Sequence, residues 1–190
     1  MRKLFILLFF VALTLLSFGQ KNSFKFHSIN SVSLLNGENE ISAALQSVNG
    51  LQKGAWFGGI GLGLDYYIQR SVPLFADLRY EFGKGKNKFF GYADGGINFD
   101  WIKENNNSEP IFIWEGFANS AEYNDGSYVE GGLGYIVGMK KGNGLVLSLG
   151  YSYKSLERKV TYQDWRTQQP TTDIYKYKLN RIAIKAGWRF

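Results

Sequence analysis

His27 is the only histidine in the chain, and there is no cysteine. These two facts bound the covalent chemistry first. A hydroxyl nucleophile needs a base within hydrogen-bond reach, and the serine nearest to His27 is its neighbour Ser28. If this segment is extended, adjacent side chains point to opposite faces, so His27 and Ser28 cannot form a nucleophile–base pair directly. Without cysteine there are no disulfides, thiolate metal sites or lipid-modified thiols. What remains is charge. The acids Asp65, Asp77, Glu81, Asp94, Asp100 and Glu130 and the bases Arg79, Lys154, Arg181 and Lys185 are spread over six segments. They share one trait: each falls on the non-apolar side of a segment that alternates with a period of two.

That spacing defines the elements. Leu145, Leu147, Leu149, Tyr151 and Tyr153 alternate with Gly144, Val146, Ser148, Gly150 and Ser152. Val129, Leu133, Tyr135, Val137 and Met139 alternate with Glu130, Gly132, Gly134 and Gly138. Val72, Leu74, Ala76, Leu78, Tyr80 and Phe82 oppose Phe75, Asp77, Arg79 and Glu81. Trp56, Ile60, Leu62, Leu64 and Tyr66 oppose Gly59, Gly61, Gly63 and Asp65. A period of two is that of a strand with one oily and one small, charged face. In a soluble sandwich the polar face would meet water and tolerate many lysines. Here it is glycine-rich with acids and bases near balance, which fits a narrow barrel interior where unpaired charge is costly. The oily face then meets lipid.

Eight such segments span roughly 24–36, 40–49, 54–68, 71–82, 88–101, 126–140, 144–157 and 175–190; the first two alternate poorly. The expectation is an all-β, eight-stranded antiparallel up-and-down transmembrane β-barrel. Short turns at Asn49–Lys53, Gly83–Asn87 and Lys140–Asn143 fall on one side, expected to be periplasmic. Long connections at Ile102–Asp125 and Arg158–Ile174 fall on the other, as in bacterial barrels. Trp56, Phe82, Phe89 and Trp188 are expected in a lower aromatic belt, and Tyr66, Trp101, Tyr153 and Tyr177 in an upper one.

The first residues suggest export. Arg2 and Lys3 precede an apolar run from Leu4 to Leu16, and Ser17-Phe18-Gly19 offers a cleavage site before Gln20. The run is too short to span a hydrocarbon layer of ~30 Å as a helix. Residues 1–19 are therefore expected to be a cleaved signal peptide and 20–190 the barrel. Loss of Arg2 and Lys3 takes the net charge from +6 to +4, scattered instead of clustered, so no nucleic-acid partner is expected.

The chain resembles the small outer-membrane β-barrel family of Bacteroidota, related in architecture to the OmpA transmembrane domain and OmpX. The resemblance is carried by Gly19-Gln20, the run Gly58-Gly59-Ile60-Gly61-Leu62-Gly63-Leu64-Asp65-Tyr66-Tyr67, Ser71-Val72-Pro73-Leu74-Phe75 and Gly187-Trp188-Arg189-Phe190. It implies architecture and an outer-membrane location. The sequence lacks the soluble peptidoglycan-binding domain of full-length OmpA, so wall anchoring is not implied. The strand ending at Phe190 resembles the signal read by barrel-assembly machinery, which makes that machinery and outer-membrane lipid the expected partners.

The functional expectation is a non-enzymatic barrel contributing to envelope structure or surface interaction, without cofactor or metal. Its lumen is expected to hold a salt-bridged network of Asp65, Asp77, Arg79, Glu81, Asp94, Glu130, Lys154, Arg181 and Lys185. Asp77, Arg79 and Glu81 are expected to link across to Arg181 and Lys185. In the loop, Ile111, Phe112, Trp114 and Phe117 are candidates for contact with an unknown surface partner, or for packing within a ribbon formed by strands five and six. The alternatives are a lipid A-modifying enzyme, for which a serine two residues from the histidine is missing, and a narrow gated pore.

Overall fold

A computed structural model describes residues 24–38, 40–68, 70–101, 112–113, 116–139, 142–163 and 169–190, without the side chains of 112–113, 116–123 and 162–163. Among the described residues there are ten strands: β1 Lys25–Gly37, β2 Ile41–Lys53, β3 Trp56–Asp65, β4 Ser71–Phe82, β5 Lys88–Asp100, β6 Phe112–Ile113, β7 Gly116–Asn124, β8 Gly126–Gly138, β9 Gly144–Gln163 and β10 Pro170–Arg189. Eight of them, β1–β5 and β8–β10, pair antiparallel in a closed circuit, the last with the first through Gly37↔Arg181 to Ile29↔Arg189. The fold is a closed eight-stranded antiparallel barrel. The expected signal peptide, residues 1–19, lies outside the described residues.

The period-two reading of facing holds on the strands that alternate clearly. Ile60, Leu62, Leu74, Leu78, Leu133, Leu147, Leu149, Ile182 and Ile184 are exposed on the outer wall, Leu133 to 66 %. Phe90, Asp94, Glu130, Ser152, Lys154 and Arg181 are buried inside, all at 2 % or less. Such a surface is a membrane-facing one: apolar outside, with every wall strand paired on both edges across the apolar band. The poor alternation of β1 and β2 has a structural reason. Ile29, Leu35, Ala44 and Val48 point inward and are buried, while Asn30 and Asn49 point outward.

Inner-face glycines seat aromatic rings. A Cβ on Gly61 would lie 2.3 Å from the Phe75 ring, one on Gly134 2.2 Å from Phe90, and one on Gly150 2.2 Å from the Tyr92 hydroxyl. Gly61 is the cross-strand partner of Phe75, and Gly134 of Phe90. The rings therefore lie flat against the wall and fill the lumen without crowding it.

Three expectations about the connections are corrected. Residues 49–53 are not a turn: β2 runs on to Lys53, and the reversal is made at Gly54, whose φ of 63° suits glycine. The connection at 158–174 is mostly strand, because β9 and β10 stay paired from Arg189↔Gly144 up to Pro170↔Gln163. In the connection at 102–125, β7 adds itself to β9 from Asn124↔Glu157 to Ala118↔Tyr162. β7, which leads into β8, thus lies on the upward extension of β9, while residues 102–111, which would continue β5 into the expected ribbon, lie outside the described residues. Between β7 and β8 the register slips by one residue, since Asn124 faces Glu157 while Tyr128 faces Lys154. At that bulge a Cβ on Gly126 would sit 1.9 Å from the Ser155 carbonyl oxygen. The consequence is a wall of uneven height. On the side of β7, β9 and β10 a three-stranded sheet rises beyond the barrel, whereas β1–β4 end at Gly37, Ile41, Asp65 and Ser71.

Candidate functional site

The side chains expected in the lumen are all turned inward, and they form four tiers along the barrel axis. In the top tier, Asp65 of β3 receives the Arg181 guanidinium on Oδ2 and the Lys154 ammonium at 3.2 Å on Oδ1. Lys154 also donates to the Tyr67 carbonyl at 3.1 Å and to Ser71 Oγ at 3.0 Å, and Arg181 Nη2 donates to Ser152 Oγ at 2.8 Å. The Arg181 guanidinium lies 5.4 Å from the Tyr67 ring centroid.

Glu130 organises the second tier. It accepts from Tyr92 at 2.8 Å and Tyr128 at 2.7 Å, and pairs with Lys185. Lys185 donates to Gln46 Oε1 at 2.6 Å, and Gln46 donates to the Tyr128 hydroxyl at 2.8 Å, closing a ring of hydrogen bonds. Asp94 lies 3.9 Å from the same ammonium. Below it, Asp77 is the cross-strand neighbour of Asp94 and is gripped by Arg79, whose Nε and Nη2 donate at 2.9 and 2.7 Å. The Arg79 guanidinium is ringed by Phe57, Phe90 and Tyr92 at 5.3–5.8 Å from their centroids. At the lower mouth, Glu81 accepts from Lys88 at 2.9 Å and Arg189 at 2.6 Å.

The partners differ from those expected. Asp77 and Glu81 do not reach Arg181 or Lys185; those cations serve Asp65 and Glu130, and Arg79 pairs on its own strand. Strand tilt is the reason: Asp77 and Arg181 lie on opposite walls at different heights, so sharing a face does not make them neighbours. Arg189, Lys88, Gln46 and the tyrosines Tyr67, Tyr92 and Tyr128 belong to the network and were missed. Arg189 could have been found, since it follows Arg181 and Lys185 at intervals of four on one strand face.

Two cavities of the lumen are nearly closed. The cavity among Ile29, Arg79, Tyr92 and Lys185 holds about 10 Å³, and that around Asp65, Tyr128, Glu130 and Arg181 none. The first is room for about one water. His27 is buried near the lower mouth with Nδ1 2.9 Å from the Phe190 backbone oxygen, while Ser28 points outward. Among the described residues no cluster of metal-ligating side chains is present.

Of the loop candidates, Ile111 and Trp114 lie outside the described residues. Phe112 and Phe117 are described in backbone only, as cross-strand partners in the β6–β7 hairpin. Of the upper-belt aromatics, Tyr66 and Trp101 are exposed on the outer wall. Tyr177 is not a belt residue: it pairs with buried Leu156 on the mouth-facing side of the raised sheet.

No family model matches the chain, and no curated protein does. Among solved structures it is similar to the solid-state NMR structure of outer membrane protein AlkL in DMPC lipid bilayers. Identity is 10 %, with 87 % of this chain and 88 % of that one covered and a TM-score of 0.44. It is also similar to the crystal structure of outer membrane protein OprG from Pseudomonas aeruginosa, at 13 % identity, 87 % and 95 % coverage and a TM-score of 0.42. These are distant likenesses of fold.

Proposed function

We propose that this chain is a closed, non-enzymatic outer-membrane barrel whose task is to hold a raised β-sheet at the cell surface for interaction with other molecules. The filled lumen carries this reading. Four tiers of paired charge, with cavities of about 10 Å³ or less between them, oppose passage of a solute among the described residues, and an eight-stranded barrel offers just enough interior for side chains. The uneven wall complements it, because β9 and β10 extend beyond the apolar band where a short turn would have sufficed to join them.

The reading includes an exported precursor, delivery by barrel-assembly machinery through the strand ending at Phe190, and kinship with OmpA- and OmpX-type barrels of Bacteroidota. It treats the lipid A-modifying alternative as disfavoured by the opposite facing of His27 and Ser28. Planar-bilayer recording on the refolded protein tests it. Wild type is expected to be silent, and Arg79→Ala, which frees Asp77 beside Asp94, is expected to leave it so. Discrete openings that increase in Arg79→Ala would replace the reading with a gated pore. Hydrolysis of labelled lipid A that is lost in His27→Ala would replace it with an enzyme.

A further inference from the structure

Four polar side chains stand on the outer wall with apolar residues on every side. Upward along β1 the outward residues are Phe26, Ser28, Asn30 and Val32; upward along β2 they are Leu51, Asn49, Ser47 and Leu45. Ser28 pairs with Asn49 and Asn30 with Ser47, so the four form one island across two strands. Phe26 and Leu51 border it below, Val32 and Leu45 above. On its flanks, Asn49 and Ser47 pair with Ile60 and Leu62 of β3, and Asn30 pairs with Trp188 of β10. The wall of β2 turns polar again only at Lys53, two residues below Leu51. The island therefore lies within the apolar band and not at its rim.

Hydrogen bonding inside the island is thin. Asn30 Nδ2 donates to Ser28 Oγ and Asn49 Nδ2 to Ser47 Oγ, both at 3.4 Å. An amide carries two N–H donors and an accepting oxygen. Among the described residues nothing else reaches either side chain, so each leaves one N–H and its Oδ1 facing outward. Hydrocarbon offers such groups neither donor nor acceptor, and polar side chains that face it bind spanning elements to one another for that reason.

The register decides what can meet them. Cross-strand partners followed from Lys25 through Gln52 and on around the wall to Ala183 return to β1 at Leu35, higher than they began. A step from β1 to β2 is thus a step up the barrel. Asn49 stands above its partner Ser28 and level with Asn30, to within about 2 Å at a strand tilt of about 40°. Ser28 and Ser47 lie below and above the midpoint between the two amides. A two-fold axis along the membrane normal through that midpoint sets Asn30 of one copy against Asn49 of the other, twice, with Ser47 facing its own equivalent. We infer that the chain associates with a second copy of itself through this island, wall to wall in the membrane. An amide is its own complement, N–H to C=O, and the short side chains let the two walls approach. The contact uses β1 and β2 and nothing of the raised sheet, so it goes beyond the surface-interaction reading without leaning on it.

The test uses the refolded protein in phosphatidylcholine vesicles and in density-matched detergent micelles. The chain has no cysteine, so a single Ser47→Cys reports on the axis. Its oxidative cross-linking in vesicles is expected to be at least tenfold faster than that of Leu133→Cys, which is exposed on the far wall. Sedimentation equilibrium in micelles is expected to show a dimer for wild type. Asn30→Leu/Asn49→Leu should dissociate at least tenfold more readily while keeping its heat-modifiable gel shift, because leucine suits a lipid-facing site. Asn30→Gln/Asn49→Gln, which keeps both amides, should associate more tightly than the leucine pair. A monomeric wild type, equal cross-linking through Leu133→Cys, or a folded leucine variant that associates like wild type overturns the inference and leaves the closed barrel standing. Monomers that retain phosphatidylglycerol, and lose it in the leucine variant, overturn it in favour of a lipid headgroup on the island.

Discussion

Asp65→Asn is the substitution that tests the lumen most severely. One carboxylate there serves two cations, and both side chains are fully buried. Removing it strands Arg181 and Lys154 together in a site with no water-sized space. Breaking a buried ion pair by deleting one partner costs about 3–5 kcal/mol, because the remaining charge is uncompensated. Some of that is recovered here: Lys154 keeps the Tyr67 carbonyl and Ser71, and Arg181 keeps Ser152. A net loss of about 4 kcal/mol follows, or a urea midpoint lowered by about 2 M at a slope of about 2 kcal/mol/M. Arg181→Met should cost about half as much, because Asp65 retains Lys154 at 3.2 Å. The double variant Asp65→Asn/Arg181→Met should be more stable than Asp65→Asn alone, since only one cation is left unpaired. The assay is reversible urea unfolding of the refolded protein in lipid bilayers, followed by tryptophan fluorescence. A loss below about 1 kcal/mol for Asp65→Asn, the size of an exposed pair, would refute the argument. It would mean that water reaches the top tier and that the lumen is not sealed there.

Other outcomes follow from the same geometry. Gly134→Ala places a Cβ 2.2 Å from the Phe90 ring and 2.7 Å from the Leu147 carbonyl oxygen; it should lower stability by about 1–3 kcal/mol in the same unfolding assay, with part of the loss restored by Phe90→Leu. Arg189→Met should cost less than Asp65→Asn, because Glu81 keeps Lys88 at 2.9 Å and Lys88 is one-third exposed at the lower mouth; the two urea midpoints compare them directly.

Facing, on the strands that alternate cleanly, was legible from residue order. Leu145, Leu147 and Leu149 against Ser148, Gly150 and Ser152 leave little choice about which side meets lipid, since one step along a strand inverts the side chain. The lumen residues could be named for the same reason. The reading weakened where alternation did: Ile29 and Val48 face inward and Asn30 and Asn49 outward, which hydrophobicity by itself would have reversed. Strand ends above the membrane were hidden too, because Thr171–Lys178 and Glu157–Gln163 are polar on one face or both, and polar strands read as loops until a neighbour pairs with them.

The sequence by itself, then, determined the strand period, the membrane-facing wall of the cleanly alternating strands and most of the inward charges, all of which are local properties of a chain with a repeat of two. Which acid meets which base was decided only by tertiary structure. Tilted strands bring Asp65 of β3 to Lys154 of β9 and Arg181 of β10, and Glu130 of β8 to Lys185 of β10, across a lumen whose stagger is a property of the closed sheet. The raised sheet is likewise a collective fact: it exists because β1 stops at Gly37 while β9 and β10 go on, a difference in length between strands that no one of them records.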